Sequence, residues 1–135
     1  MKIEFYQLGT VEDSKLKYAV IYSTYKEEIL LVKHKDRSTW EIPGGRREEN
    51  EDINATGNRE LLEETGALEF NINPICEYSV EKGEVESYGR LFTAKIYELG
   101  ELPNLEISEV KLFDKLPMNL TYPDIQPALY RRAKE

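Results

Sequence analysis

Most apolar positions of this chain form short runs or alternate with polar ones, as in strands, and a helical period is confined to two segments. Positions 3–8 read as a first strand. Positions 17–24, KYAVIYST, are rich in β-branched and aromatic residues and read as a second. A turn around Lys26 and Glu27 leads into a short buried strand at 29–34. A brief strand is expected at 40–42, stopped by Pro43, Gly44 and Gly45. Positions 51–64 predict a helix, with Gly66 as the residue after its end. Two long strands follow at 67–80 and 85–97, joined by a turn at 81–84 that contains Gly83. A loop at 99–108 carries Gly100 and Pro103, and a last short strand is expected at 110–113. Thr121, Tyr122, Pro123 and Asp124 have the signature of a helix start, which predicts a final helix over 123–133. Many strands with two helices predict a mixed sheet with helices packed on its faces.

The central helix changes this picture most. Glu60, Glu63 and Glu64 fall within about one turn of it, where each i,i+3 or i,i+4 pair of like charges costs roughly a few tenths of a kcal/mol. At about 3.6 residues per turn, Ile53, Gly57, Glu60 and Glu64 share one side, with Leu61 at its border and Glu63 a little further round. The glutamates therefore share a side with the apolar and smallest residues instead of owning a solvated face. Gly57 costs about 1 kcal/mol relative to alanine in a helix interior, which close approach of another backbone would offset. Partly buried carboxylates in a group resist ionisation unless a cation joins them. Mg²⁺ or Mn²⁺ suits an all-oxygen donor set; zinc does not, since His and Cys are absent from this segment. Arg59 reads either as an ordinary surface ion pair with Glu63 or as a guanidinium that orients the metal-binding carboxylates.

Composition narrows the partners. The 135 residues fit one domain, 1–135, large enough for a real core. No apolar run approaches the roughly 20 residues that span a bilayer, so no membrane partner is expected. The N-terminus lacks the apolar core of a signal peptide, which predicts a cytoplasmic protein. The lone Cys76 agrees with a reducing compartment and reads as a small core residue. A net charge of −8 argues against stable nucleic-acid binding, while metal ions could still bridge the chain to an anionic substrate. Basic residues flank the Pro-Gly-Gly turn: Lys33, Lys35, Arg37, Arg46 and Arg47. Either a monomer or a homodimer fits the sequence.

The segment from Gly45 to Ala67 resembles the Nudix box, G-x5-E-x7-R-E-U-x-E-E-x-G-U with U a bulky aliphatic. Gly45, Glu51, Arg59, Glu60, Glu63, Glu64 and Gly66 stand at its fixed positions, with Leu61 at the first U. Ala67 stands where a larger aliphatic is usual, and Thr56-Gly57 replaces a pair of small residues that is commonly alanines. The lead-in from Trp40 to Gly45 and the segment from Glu109 to Pro117 also look family-like. The resemblance implies the α/β/α Nudix sandwich with a mixed sheet. It implies Mg²⁺-dependent hydrolysis of a nucleoside diphosphate linked to another group. Glu60, Glu63, Glu64 and the Gly44 carbonyl would bind metal, supported by Arg59, Glu51 and Gly45. Glu63 would take the proton of the attacking water, with Glu109, Glu84 and Glu86 as candidates outside the helix. Replacing each by Gln and following kcat against pH would decide between them.

The small size resembles the MutT-like subgroup, which converts nucleoside triphosphates, 8-oxo-dGTP among them, to the monophosphate and pyrophosphate. Arg46, Arg47, Lys35 and Arg37 are the expected phosphate contacts; His34 is either another or an ordinary strand residue. ADP-ribose, a dinucleoside polyphosphate or an RNA 5′ end are alternative substrates. A non-catalytic nucleotide-binding regulator is a further reading, against which stand the intact box glutamates.

Overall fold

The computed structural model describes residues 1–135 as seven strands and two helices. The strands are β1 (Lys2–Tyr6), β2 (Leu16–Tyr25), β3 (Glu28–His34), β4 (Gly44–Arg46), β5 (Ala67–Lys82), β6 (Val85–Leu99) and β7 (Ile107–Phe113). The helices are α1 (Ile53–Thr65) and α2 (Gln126–Lys134). All strands join one mixed sheet in the order β1-β5-β6-β2-β3-β7, with β4 on the edge of β2 that β3 leaves free. The β2–β6 pair is parallel and the other pairs are antiparallel.

Period-two alternation divides the core. On β2, β3 and β6, residues Ala19, Ile21, Leu30, Val32, Phe92 and Ala94 face one side and pack with Ile53 and Leu61 of α1. Leu91 of β6 and Cys76, Tyr78 and Val80 of β5 pack on the other side with Leu129 of α2. The sheet is thus covered on both faces, the expected sandwich, and Cys76 is a buried core residue. Gly57 of α1 lies against the Phe92 ring, where an added Cβ would stand 3.0 Å from the ring carbons. The close approach is to a side chain, not to a backbone.

Turn chemistry accounts for the hairpins. Lys26 and Glu27 both take positive φ, 53° and 67°, so a two-residue turn follows the twist of β2 and β3. Gly83, at φ 64°, turns β5 into β6. Asp52 caps α1 by accepting from the Asn54 N–H, and Gly66 ends it in the left-handed region at φ 74°.

Two elements differ from the sequence expectation. The segment at 40–42 is not a strand: Glu41 makes an isolated bridge to Val32 and Trp40 one to Leu120. The strand lies instead in Gly44–Arg46, because β3 pairs only with the last residues of β2 and leaves backbone groups from Tyr18 to Val20 to be satisfied. The last helix begins at Gln126, with Pro127 in its first turn, and not at Pro123. The Thr121 hydroxyl lies 2.6 Å from that of Thr39, on the segment before Trp40.

Candidate active site

β4 carries out two tasks at once. Pro43 and Arg47 bond to β2, through Ile21 N–H to Pro43 O and Arg47 N–H to Lys17 O, each at 2.8 Å. Alternate groups therefore turn the other way, toward α1. The Gly44 N–H donates to Glu64 Oε1 at 2.9 Å, and the Arg46 carbonyl accepts from Arg59 Nη2 at 3.1 Å. The same alternation turns the Gly44 carbonyl toward the α1 carboxylates. Gly45 has no room for a side chain, since an added Cβ would fall on the Glu60 carboxylate.

Arg59 joins the carboxylates. Its Nε and Nη2 donate to the two Glu51 oxygens at 2.7 and 3.0 Å. Its Nη1 donates to Glu60 Oε1 at 2.6 Å and Glu63 Oε1 at 3.1 Å. The Thr56 hydroxyl adds a bond to Glu51 Oε1 at 2.7 Å, so the residue that replaces a family alanine holds the same carboxylate. The Arg59 hydrogen bonds lower the Glu51 pKa to about 2. Burial acts the other way on the cluster's inner members, raising Glu60 to about 7 and Glu64 to about 8. Glu63 is the most open of the three, its side chain 40% exposed.

Gly44, Gly45, Arg59, Glu60, Glu63 and Glu64 line a cleft of about 920 Å³. Besides Glu48, on the loop after β4, two acidic residues that sequence reasoning missed line it: Glu41, buried, and Glu106, on the loop before β7. His34 stands among them. Its Nε2 is 2.9 Å from Glu41 Oε1 and 3.6 Å from Glu64 Oε2, and its Nδ1 is 4.0 Å from Glu106 Oε2. No local spacing signals this group, because β3, the segment after it, α1 and the β7 loop meet only in the fold.

The expected substrate residues separate. Arg37 and Arg46 line the cleft; Arg37 is 3.3 Å from Glu41 and Arg46 lies over the Tyr18 ring. Arg47 lines it too, but its guanidinium is bound to Asp13 and to the carbonyls of Leu16 and Glu51. Lys35 lies outside the cleft and bonds to Asn104 at 2.9 Å. None of the outside base candidates reaches the cleft. Glu109 is opposite Lys33 on β7, 3.2 Å from its ammonium; Glu84 and Glu86 sit at the β5–β6 turn, where Glu86 binds the Tyr88 hydroxyl.

The family model for the NUDIX domain matches residues 15–115, about three quarters of the chain. This chain belongs to the Nudix family. A Bacillus subtilis (strain 168) protein named "Putative 8-oxo-dGTP diphosphatase" is 47% identical over 47 residues, 35% of this chain and 32% of that protein. The chain thus matches about a third of that relative's length. Among solved structures, the Bacillus subtilis pyrophosphohydrolase BsRppH superposes with a TM-score of 0.80 at 23% identity, covering 98% of this chain and 89% of that one. The NUDIX domain of Shewanella oneidensis NrtR, complexed with ADP ribose, gives 0.65 at 21% identity, over 95% and 96%. A C. elegans Ap4A hydrolase gives 0.65 at 18% identity, over 87% and 96%. The fold is therefore the Nudix fold.

Proposed function

We propose that this protein is a Mg²⁺-dependent Nudix pyrophosphohydrolase that cleaves nucleoside triphosphates, oxidised ones such as 8-oxo-dGTP included, to the monophosphate and pyrophosphate. The observation that carries this is the convergence of Glu60, Glu63, Glu64 and Gly44 at one cleft that also presents Arg37 and Arg46. The donor set fits a hard divalent cation: it is all oxygen, and two of its carboxylates are too desolvated to keep full charge alone. When bound, such an ion neutralises phosphate charge and acidifies a water molecule. Glu60, Glu63, Glu64 and Gly44 would hold it.

The chain's own residues do the rest. Arg59 fixes Glu60 and Glu63 in place and is itself held by Glu51. The Gly44 N–H fixes Glu64. Glu63, least buried of the three, keeps its Oε2 free of Arg59 and takes the proton of the attacking water. Arg37 and Arg46 bind the phosphates, while Arg47 braces the loop after β4. Glu106 replaces Glu109, Glu84 and Glu86 as the outside candidate for the base, because it alone of the four lines the cleft. Turnover of ordinary and oxidised NTPs, ADP-ribose, diadenosine tetraphosphate and 5′-triphosphorylated RNA tests the substrate. Release of pyrophosphate from NTPs supports the reading; preferred turnover of another member of the panel replaces it. Glu63→Gln and Glu106→Gln, followed as kcat against pH, assign the base.

A further inference from the structure

β7 is an outer edge of the sheet. It pairs only with β3, and no other backbone hydrogen bond reaches it. The direction of its free groups follows from β3. Val32 exchanges both of its backbone bonds with Glu41, at 2.9 Å each, on the side away from β7. Val32 and Val110 therefore form a non-hydrogen-bonded pair of the antiparallel ladder, and the Val110 N–H and C=O point outward. Leu112, two residues on, shares that direction. Glu109 and Lys111 flank Val110, and both are exposed. Charges on an edge ordinarily block pairing with another strand. Here their signs make the strand complementary to itself. A second copy laid antiparallel about a two-fold axis at Val110 exchanges both Val110 bonds and sets Glu109 of each copy opposite Lys111 of the other. On the α1 face Val110, only half-buried against the core, gains the same side chain of the second copy as a neighbour. The flanking loops extend the surface: Leu105, before β7, is 50% exposed and Met118, after it, 97%.

We propose that β7 is the interface of a homodimer, in which two copies pair edge to edge about Val110 with Glu109 of each opposite Lys111 of the other. Antiparallel pairing brings the loop after β7 of one copy beside the loop before β7 of the other. That second loop carries Leu105 and Glu106 to the cleft, so the second copy stands beside one wall of the active site.

Sedimentation equilibrium of the wild type, Glu109→Lys and Lys111→Glu tests this. The wild type should dimerise. Each variant sets like charges opposite one another twice and should weaken the dimer by about ten- to a hundredfold. The two variants mixed in equal amounts should associate with each other, because their charges are complementary across the edge. The double variant Glu109→Lys/Lys111→Glu should dimerise as the wild type does. A wild type that stays monomeric at millimolar concentration overturns the proposal. So does a dimer that both single variants leave unchanged, which would use another surface such as the β1 edge, and so does a mixture that fails to associate. Should either variant not fold, amide exchange in the wild type decides. Protection of the outward Val110 N–H should rise with protein concentration, and exchange independent of concentration contradicts the pairing.

Discussion

The Gly44 N–H and Glu64 Oε1 are 2.9 Å apart, and this one bond links the short strand after the Pro-Gly-Gly turn to the innermost carboxylate of the helix. Strand and helix thereby present a carbonyl and three carboxylates together. Glu64 nevertheless remains raised to about 8, because burial outweighs the single backbone donor. The proposed divalent ion would supply the missing charge.

The first prediction concerns pH. Glu60, near 7, and Glu64, near 8, lie above the ordinary 4.5, so the metal-free fold retains protons that the unfolded chain releases. Their stabilising contribution is complete below about pH 4.5 and is lost as pH rises through about 7 to 8. Glu51, lowered to about 2, acts in the opposite sense and only below about pH 4.5. Bound metal must displace the Glu60 and Glu64 protons, so its stabilisation should grow across this window. Thermal unfolding with and without Mg²⁺ between about pH 5.5 and 8.5 reads this directly. A Mg²⁺ shift independent of pH would count against the carboxylate assignment.

Gly45→Ala should displace the Glu60 carboxylate, on which the new Cβ would fall. Metal affinity should drop by about 10–100-fold while the circular dichroism spectrum stays that of the wild type. Unaltered Mn²⁺ affinity by calorimetry would show that Glu60 is not a ligand.

Arg59→Ala removes the donor shared by Glu51, Glu60 and Glu63. Metal affinity or activity should fall by about 10–100-fold. The Glu51 pKa should return toward 4.5, since its largest cause is lost. Carbon-detected NMR titration of Glu51 measures this; a pKa still near 2 would mean that Thr56 and the backbone suffice.

Glu77 predicts a purely structural effect. This fully buried β5 carboxylate accepts from the Gly9 and Val11 N–H groups at 3.0 and 2.8 Å and from Arg90 at 2.7 Å. Burial pushes its pKa up, but these bonds outweigh it and leave it lowered. Arg90→Met would strand a buried charge, at a cost of about 3–5 kcal/mol in urea unfolding. Activity of the folded fraction should be unchanged, and a loss below about 1 kcal/mol would contradict the pairing.

The sequence revealed what local pattern encodes. The box spacing placed Glu60 and Glu64 on the packed side of α1, and Gly83 and Gly66 marked their turns by the positive φ each adopts. β4 was not legible, because its three residues include two glycines of low strand propensity and its pairing depends on which edge of β2 stays free. The start of α2 at Gln126 was not legible either, and the Thr121 hydroxyl meets that of Thr39, far away in sequence. Glu41 and Glu106 were missed, and the place of His34 between them was hidden, for the same reason: strand ends and a loop distant in sequence bring them together. Composition identified Arg47 as basic but not that Asp13 would claim it.

Product release from NTPs by the wild type and by Glu64→Gln, with and without Mg²⁺, tests the central claim most directly. The account predicts monophosphate and pyrophosphate from the wild type only when Mg²⁺ is present, and a fall of about 100–10,000-fold in Glu64→Gln. Turnover that persists without a divalent ion, or a Gln variant that works at the wild-type rate, would contradict it.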